Sequence, residues 1–135
     1  MTDLEATVAY LKDRQDILDC IVRECRARDR QDTAQIASCW WEDGVDEHGA
    51  VVTVAPDYPE RANAGHRGAF QATSHNITNH LCEIDGTVAN CETYVVGGLF
   101  WKDRRRPRSP LAAISTGWRS AAANGASWSV AAPSR

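Results

Sequence analysis

Residues Ser74–Tyr94, SHNITNHLCEIDGTVANCETY, decide the fold, because they read as one β-hairpin. Asp85-Gly86 is a favoured two-residue turn, since both residues tolerate the positive φ that closes a twisted hairpin. It joins two strand-like segments, Ser74–Ile84 and Thr87–Phe100, rich in β-branched and aromatic residues. Ile77, Leu81 and Ile84 on the first segment supply half of the expected buried face. Val88, Tyr94, Val95 and Val96 supply the other half.

Towards the N-terminus the period changes from two to nearly four. Val8, Leu11, Ile17, Leu18, Ile21, Val22 and Cys25 form an apolar stripe that predicts a helix over Leu4–Arg28. A second, short helix is expected over Asp32–Trp41, with Asp32 as its cap and Ile36, Cys39 and Trp40 at helical spacing. Ala50–Ala55 reads as a strand. Asp57–Gly68, with two glycines and a proline, reads as a loop, and Ala69–Thr73 as one helical turn. Helices followed by an antiparallel meander make an α+β domain, and 135 residues are enough for one.

Composition narrows the function. With 43% hydrophobic and 24% charged residues the chain is neither disordered nor fibrous. No apolar run approaches a membrane span, and no secretory signal opens the chain, so a cytoplasmic protein is expected. The five cysteines form no CxxC pair and are read as buried packing rather than zinc ligands, so neither a metal nor a cofactor is expected. Charge is unevenly spread. Residues 102–135 hold seven Lys or Arg and one acidic residue, whereas the first 101 hold eight and seventeen. An acidic body argues against nucleic acid as partner, and Arg104–Arg108 reads as a solvated basic loop.

Titratable side chains gather at Arg28-Asp29-Arg30, at Asp46-Glu47-His48 and between His75 and His80. A histidine is the side chain best suited to move a proton near neutrality, and a carboxylate on its other nitrogen fixes the tautomer. Asp29 at a helix end facing His75 on a sheet would meet that need. His80, five residues on, points to the other face unless a bulge intervenes. Asp46, Glu47 and His48 offer too few convergent oxygens for a hard metal. Trp40 and Trp41 read as core and pocket wall.

Residues 13–101 resemble the SnoaL-like branch of the NTF2-like superfamily, nearest to its dehydrochlorinase and scytalone dehydratase members. Arg26–Asp43 (RARDRQDTAQIASCWWED), Asp46–Gly49 (DEHG) and Ser74–Tyr94 carry the likeness. Asp29 stands eleven residues before Trp40, and His75 four before Asn79, as in that pattern. The resemblance implies an NTF2-like cone, with helices packed on a strongly curved antiparallel sheet. It also implies a cofactor-independent dehydratase, dehydrohalogenase or isomerase. His75 would take a proton from a small apolar, often cyclic substrate, and Asp29 would orient it. Trp40, Trp41, His48 and Tyr94 are the expected substrate contacts, and a homo-oligomer, dimer or trimer, is the expected assembly. The alternative is a non-catalytic ligand-binding or dimerisation module on the same fold.

After about Lys102 the chain departs from that pattern, which closes with a strand like GRYLDR, a turn and a strand like WRI. Codons exist for Ala113–Arg135 that encode RYLDRLAQRGGEWRI in another frame, and the hypothesis is that this basic, Ala/Ser-rich tail is frame-shifted. As written, the tail is expected to pair only as Ala113–Arg119 with Ser127–Ala132 across Asn124-Gly125. Sequencing the gene tests the idea: a shifted frame should encode the family ending, and its absence from both shifted frames removes the hypothesis.

Overall fold

A computed structural model of the chain describes residues 2–48, 50–103 and 105, together with the strand backbone at 110–121 and 129–130. Helix α1 runs over Asp3–Arg30 and starts in a capping box in which Thr2 and Glu5 satisfy each other's backbone N–H groups. It ends at Gln31, whose left-handed φ of 57° turns the chain. Only the C-terminal half of the apolar stripe is covered. Ile17, Cys20, Ile21 and Cys25 are buried, whereas Leu4, Val8 and Leu11 are exposed.

The second helix, α2 (Thr33–Ala37), is shorter than expected, and Asp32 caps it by accepting from the Gln35 N–H at 2.9 Å. Strand β1 (Val45–His48) forms where only polar residues preceding a strand were expected, and it pairs antiparallel with β2 (Val51–Val54). The segment read as a loop is instead helix α3, Tyr58–Ala69, with Pro59 in its first turn. Proline there removes no needed N–H, so it starts the helix rather than breaking it. The expected helical turn at Ala69–Thr73 is absent, because β3 begins at Phe70.

Strands β3 (Phe70–Asp85) and β4 (Val88–Trp101) form the long hairpin. Asp85 still pairs with Val88, so the two loop residues are Gly86 and Thr87, and Gly86 takes the positive φ of 58°. β4 pairs with β5 (Pro110–Ala121), and β6 (Ser129–Val130) lies between β5 and β1 in the order β2-β1-β6-β5-β4-β3. The tail thus enters the sheet as backbone in longer pairing than its pattern indicates; Asn124-Gly125 falls outside the described residues.

A bulge positions everything on the inner face. Ile77 pairs with Val95 but His80 with Thr93, so β3 spends one residue more than β4 across this step. Beyond it the alternation of β3 inverts. His80, Cys82 and Ile84 turn towards α1, and Leu81, expected inside, is 59% exposed. On β4 the inner positions are Ala89, Cys91, Thr93 and Val95, while Val88 and Val96 face out. Small residues line this face. The result is an α+β cone whose core is Ile17, Ile21, Ile36, Trp40 and Tyr58 packed on Cys82, Ala89 and Cys91.

Candidate active site

Asp29 sits in the last turn of α1, where the helix dipole presents its negative end and an anion is disfavoured. Hydrogen bonds from β3 offset that cost. The Thr73 hydroxyl donates to Oδ1 at 3.0 Å, the His75 backbone N–H donates to Oδ2 at 2.9 Å, and His75 Nδ1 lies 2.7 Å from Oδ1. Thr73 and His75 are two apart on one strand and therefore share the face that meets α1. A carboxylate can only accept, so the short contact places the ring hydrogen on Nδ1 and leaves Nε2 with its lone pair. The pair is partly shielded, with side-chain exposures of 14% for His75 and 25% for Asp29.

The histidine that sequence reasoning passed over stands beside it. His66 on α3 stacks on the His75 ring with centroids 5.6 Å apart and planes 24° apart. Phe70 meets His66 edge-on, and Phe70 packs on Trp101 at 4.4 Å, so an aromatic wall adjoins the dyad. Burial, followed by repulsion from His75 and Arg28, pulls the His66 pKa below the usual histidine value. His66 stayed hidden because its segment was read as a loop; Asp57 followed by Tyr58-Pro59 was the available helix-start signal.

A half-buried histidine with a lowered pKa makes stability depend on pH. The unfolded chain protonates more readily than the folded one, so the contribution of His66 is present above about pH 6.5 and lost as pH falls through its lower folded value. The melting temperature is expected to drop on acidification from about pH 7 to about pH 5, and His66→Phe to flatten that slope. A slope unchanged by His66→Phe contradicts this.

Behind the dyad lies a buried ion pair. Glu24 is 1% exposed and accepts from Arg28 Nε at 3.0 Å and from the Tyr58 hydroxyl at 3.4 Å. The Arg28 guanidinium lies over the Tyr58 ring, 5.0 Å from its centroid, and Tyr58 packs on Trp40 with ring centroids 4.4 Å apart and planes tilted by 44°. Trp40, expected to touch substrate, is therefore a core residue, drawn inward by the apolar contact with Tyr58. Trp41 is half-buried, and its carbonyl accepts from the Gly44 N–H.

His48 is exposed at the end of β1, 3.8 Å from the buried Asp46 carboxylate, and that close carboxylate raises its pKa. Tyr94 departs from expectation. It lies between Thr93 and Val95, both on the inner face, so strand alternation turns it to the opposite side from His75. There it lines a shallow groove of about 230 Å³ with Asn79, Leu81 and Glu92. The arrangement brings together Asp29 and His75 from the expected set, adds His66, and leaves Trp40, His48 and Tyr94 elsewhere. No helix among the described residues is long and apolar enough to cross a membrane.

The profile of the SnoaL-like domain family matches residues 9–130. No curated protein sequence matches significantly. Among solved structures, a candidate scytalone dehydratase from Novosphingobium aromaticivorans superposes with a TM-score of 0.78 at 18% identity, covering 92% of this chain and 83% of that one. A hexachlorocyclohexane dehydrochlorinase from Novosphingobium barchaimii gives 0.70 at 16% identity, with coverages of 92% and 85%. A protein of unknown function from Mycobacterium tuberculosis gives 0.70 at 24% identity, with coverages of 98% and 73%. At these identities the likeness is one of fold.

Proposed function

The chain belongs to the SnoaL-like domain family, and from that premise we propose that it is a cofactor-independent lyase or isomerase using an Asp29–His75 dyad. The observation that carries the reading is the 2.7 Å contact between Asp29 Oδ1 and His75 Nδ1. His75 Nε2 takes a proton from a carbon of a small apolar, cyclic substrate. The electrons of that C–H bond form a double bond to the neighbouring carbon, which releases its leaving group with the bonding pair, either as halide or as a hydroxyl that takes the proton back from His75 and departs as water. In an isomerisation the proton instead returns to another carbon. The charge that appears on His75 is balanced by the Asp29 carboxylate, which is already in place and needs no reorganisation. The His66–Phe70–Trp101 wall offers the apolar surface such a substrate requires. Fold alone names no substrate.

Asp29→Asn tests the second half of the dyad. An amide oxygen cannot accept from Thr73 and from both groups of His75 as two carboxylate oxygens do, and it carries no charge. Turnover is expected to fall by about 10²-fold or more, with a smaller change in substrate affinity. Equal turnover by Asp29→Asn and wild type would remove Asp29 from the mechanism. Binding of cyclic alcohols, cyclic halides or ketosteroids without turnover, unchanged by Asp29→Asn or by His75→Ala, would favour a ligand-binding module instead.

A further inference from the structure

The β3–β4 hairpin brings together three side chains that the dyad does not use. Cys82 and Cys91 are nine apart in sequence but directly paired across the strands. The bulge turns His80 to the same inner face, one strand position away. One ring nitrogen of His80 and the two Sγ atoms all lie within 4.8 Å of one another. Both thiols are buried, with exposures of 2% and 3%, under the core residues of α1.

His80 is already oriented as a ligand would be. Its Nδ1 lies 2.8 Å from the buried Thr93 hydroxyl, and its Nε2 is buried without a partner among the described residues. Histidines that bind metals commonly hold the other ring nitrogen in such a hydrogen bond, which fixes the tautomer. A buried polar atom left unpaired is costly, so an unpaired Nε2 on a ring grouped with two thiols asks for an occupant. Burial pushes the Cys91 thiol up, and its contact with Cys82 adds to this, so the thiols alone do not supply a charge to pair.

We propose that His80, Cys82 and Cys91 form a three-ligand site for a soft, thiophilic metal ion, with copper(I) as its occupant. Two sulfurs and one imidazole nitrogen are soft donors, and three of them complete a trigonal copper(I) site, whereas zinc(II) seeks a fourth ligand. Binding releases the two thiol protons and leaves His80 neutral. One copper(I) with two thiolates carries one net negative charge, and Arg14 of α1 lies within electrostatic reach of both thiols and of His80 to balance it. No electron transfer is involved, and the site stands independently of the dyad's chemistry.

Reduced full-length protein, titrated anaerobically against copper(I) held by bicinchoninate, is expected to withdraw one equivalent. Cys82→Ser and Cys91→Ser should lose it, and Cys25→Ala should keep it. His80→Gln and Thr93→Val, which leave the thiols in place, should weaken retention by about tenfold or more. X-ray absorption of the loaded protein should show two sulfurs and one nitrogen around copper. Failure of the wild type to retain copper(I) would overturn the proposal. So would retention that depends on the other close thiol pair, Cys20 and Cys39, rather than on Cys82 and Cys91. Tighter retention of zinc(II) would overturn the choice of ion.

Discussion

His75→Ala is expected to lower kcat by about 10³-fold or more on any compound the protein turns over, while the melting temperature and KM change little. A positioned general base contributes roughly 10²–10⁴-fold, and among the described residues no second group is bonded to Asp29 in a way that could replace it. The substitution leaves the Thr73 hydroxyl and the residue-75 backbone N–H still donating to Asp29, so α1 stays tied to β3. Free imidazole in the assay should restore part of the rate, because it can occupy the vacated space beside Asp29. A purely structural role for His75 predicts neither the separation of kcat from KM nor the rescue. His66 is a weaker base by its lowered pKa, and His66→Phe should retain most of the activity that His75→Ala loses.

Arg28→Met is expected to lose about 3–5 kcal/mol, or roughly 10–20 °C in melting temperature. Glu24 has a side-chain exposure of 2%, and among the described residues its only compensation besides Arg28 is the long 3.4 Å contact from Tyr58. Removing the cation leaves a carboxylate in the core without a counter-charge, and that penalty exceeds the gain of the original pair. The double replacement Glu24→Met/Arg28→Met should therefore be milder than Arg28→Met alone, since no charge remains to be buried. Thermal unfolding of the two variants checks this; a double variant less stable than the single contradicts it.

Much of the fold was legible because its signals are local. Asp85-Gly86 marks the hairpin to within one residue, and Asp32 marks the start of α2. The Asp29–His75 contact followed from chemical need together with the family resemblance, and the two side chains do meet. What stayed hidden depends on long-range packing. Nothing in Thr78-Asn79-His80 marks a bulge, yet that single extra residue inverts every later position of β3. The larger apolar residues of β4, Val88, Tyr94 and Val96, drew the sequence reading to the wrong face. Ala89, Cys91 and Thr93 are the ones buried, where small side chains suit the packing under α1. The proximity of Cys82 and Cys91 is likewise a product of strand register, invisible to a search for short cysteine spacings.

Proton transfer from carbon by His75 is the central claim, and hydrogen exchange at carbon reads it most directly. Wild type and His75→Ala are incubated in D₂O with a panel of cyclic alcohols, cyclic halides and ketosteroids, and followed by NMR. Wild type is expected to form an alkene from, or place deuterium at a specific carbon of, at least one panel compound. His75→Ala is expected to do neither while still binding that compound. Exchange or product formation by His75→Ala at the wild-type rate would contradict that claim.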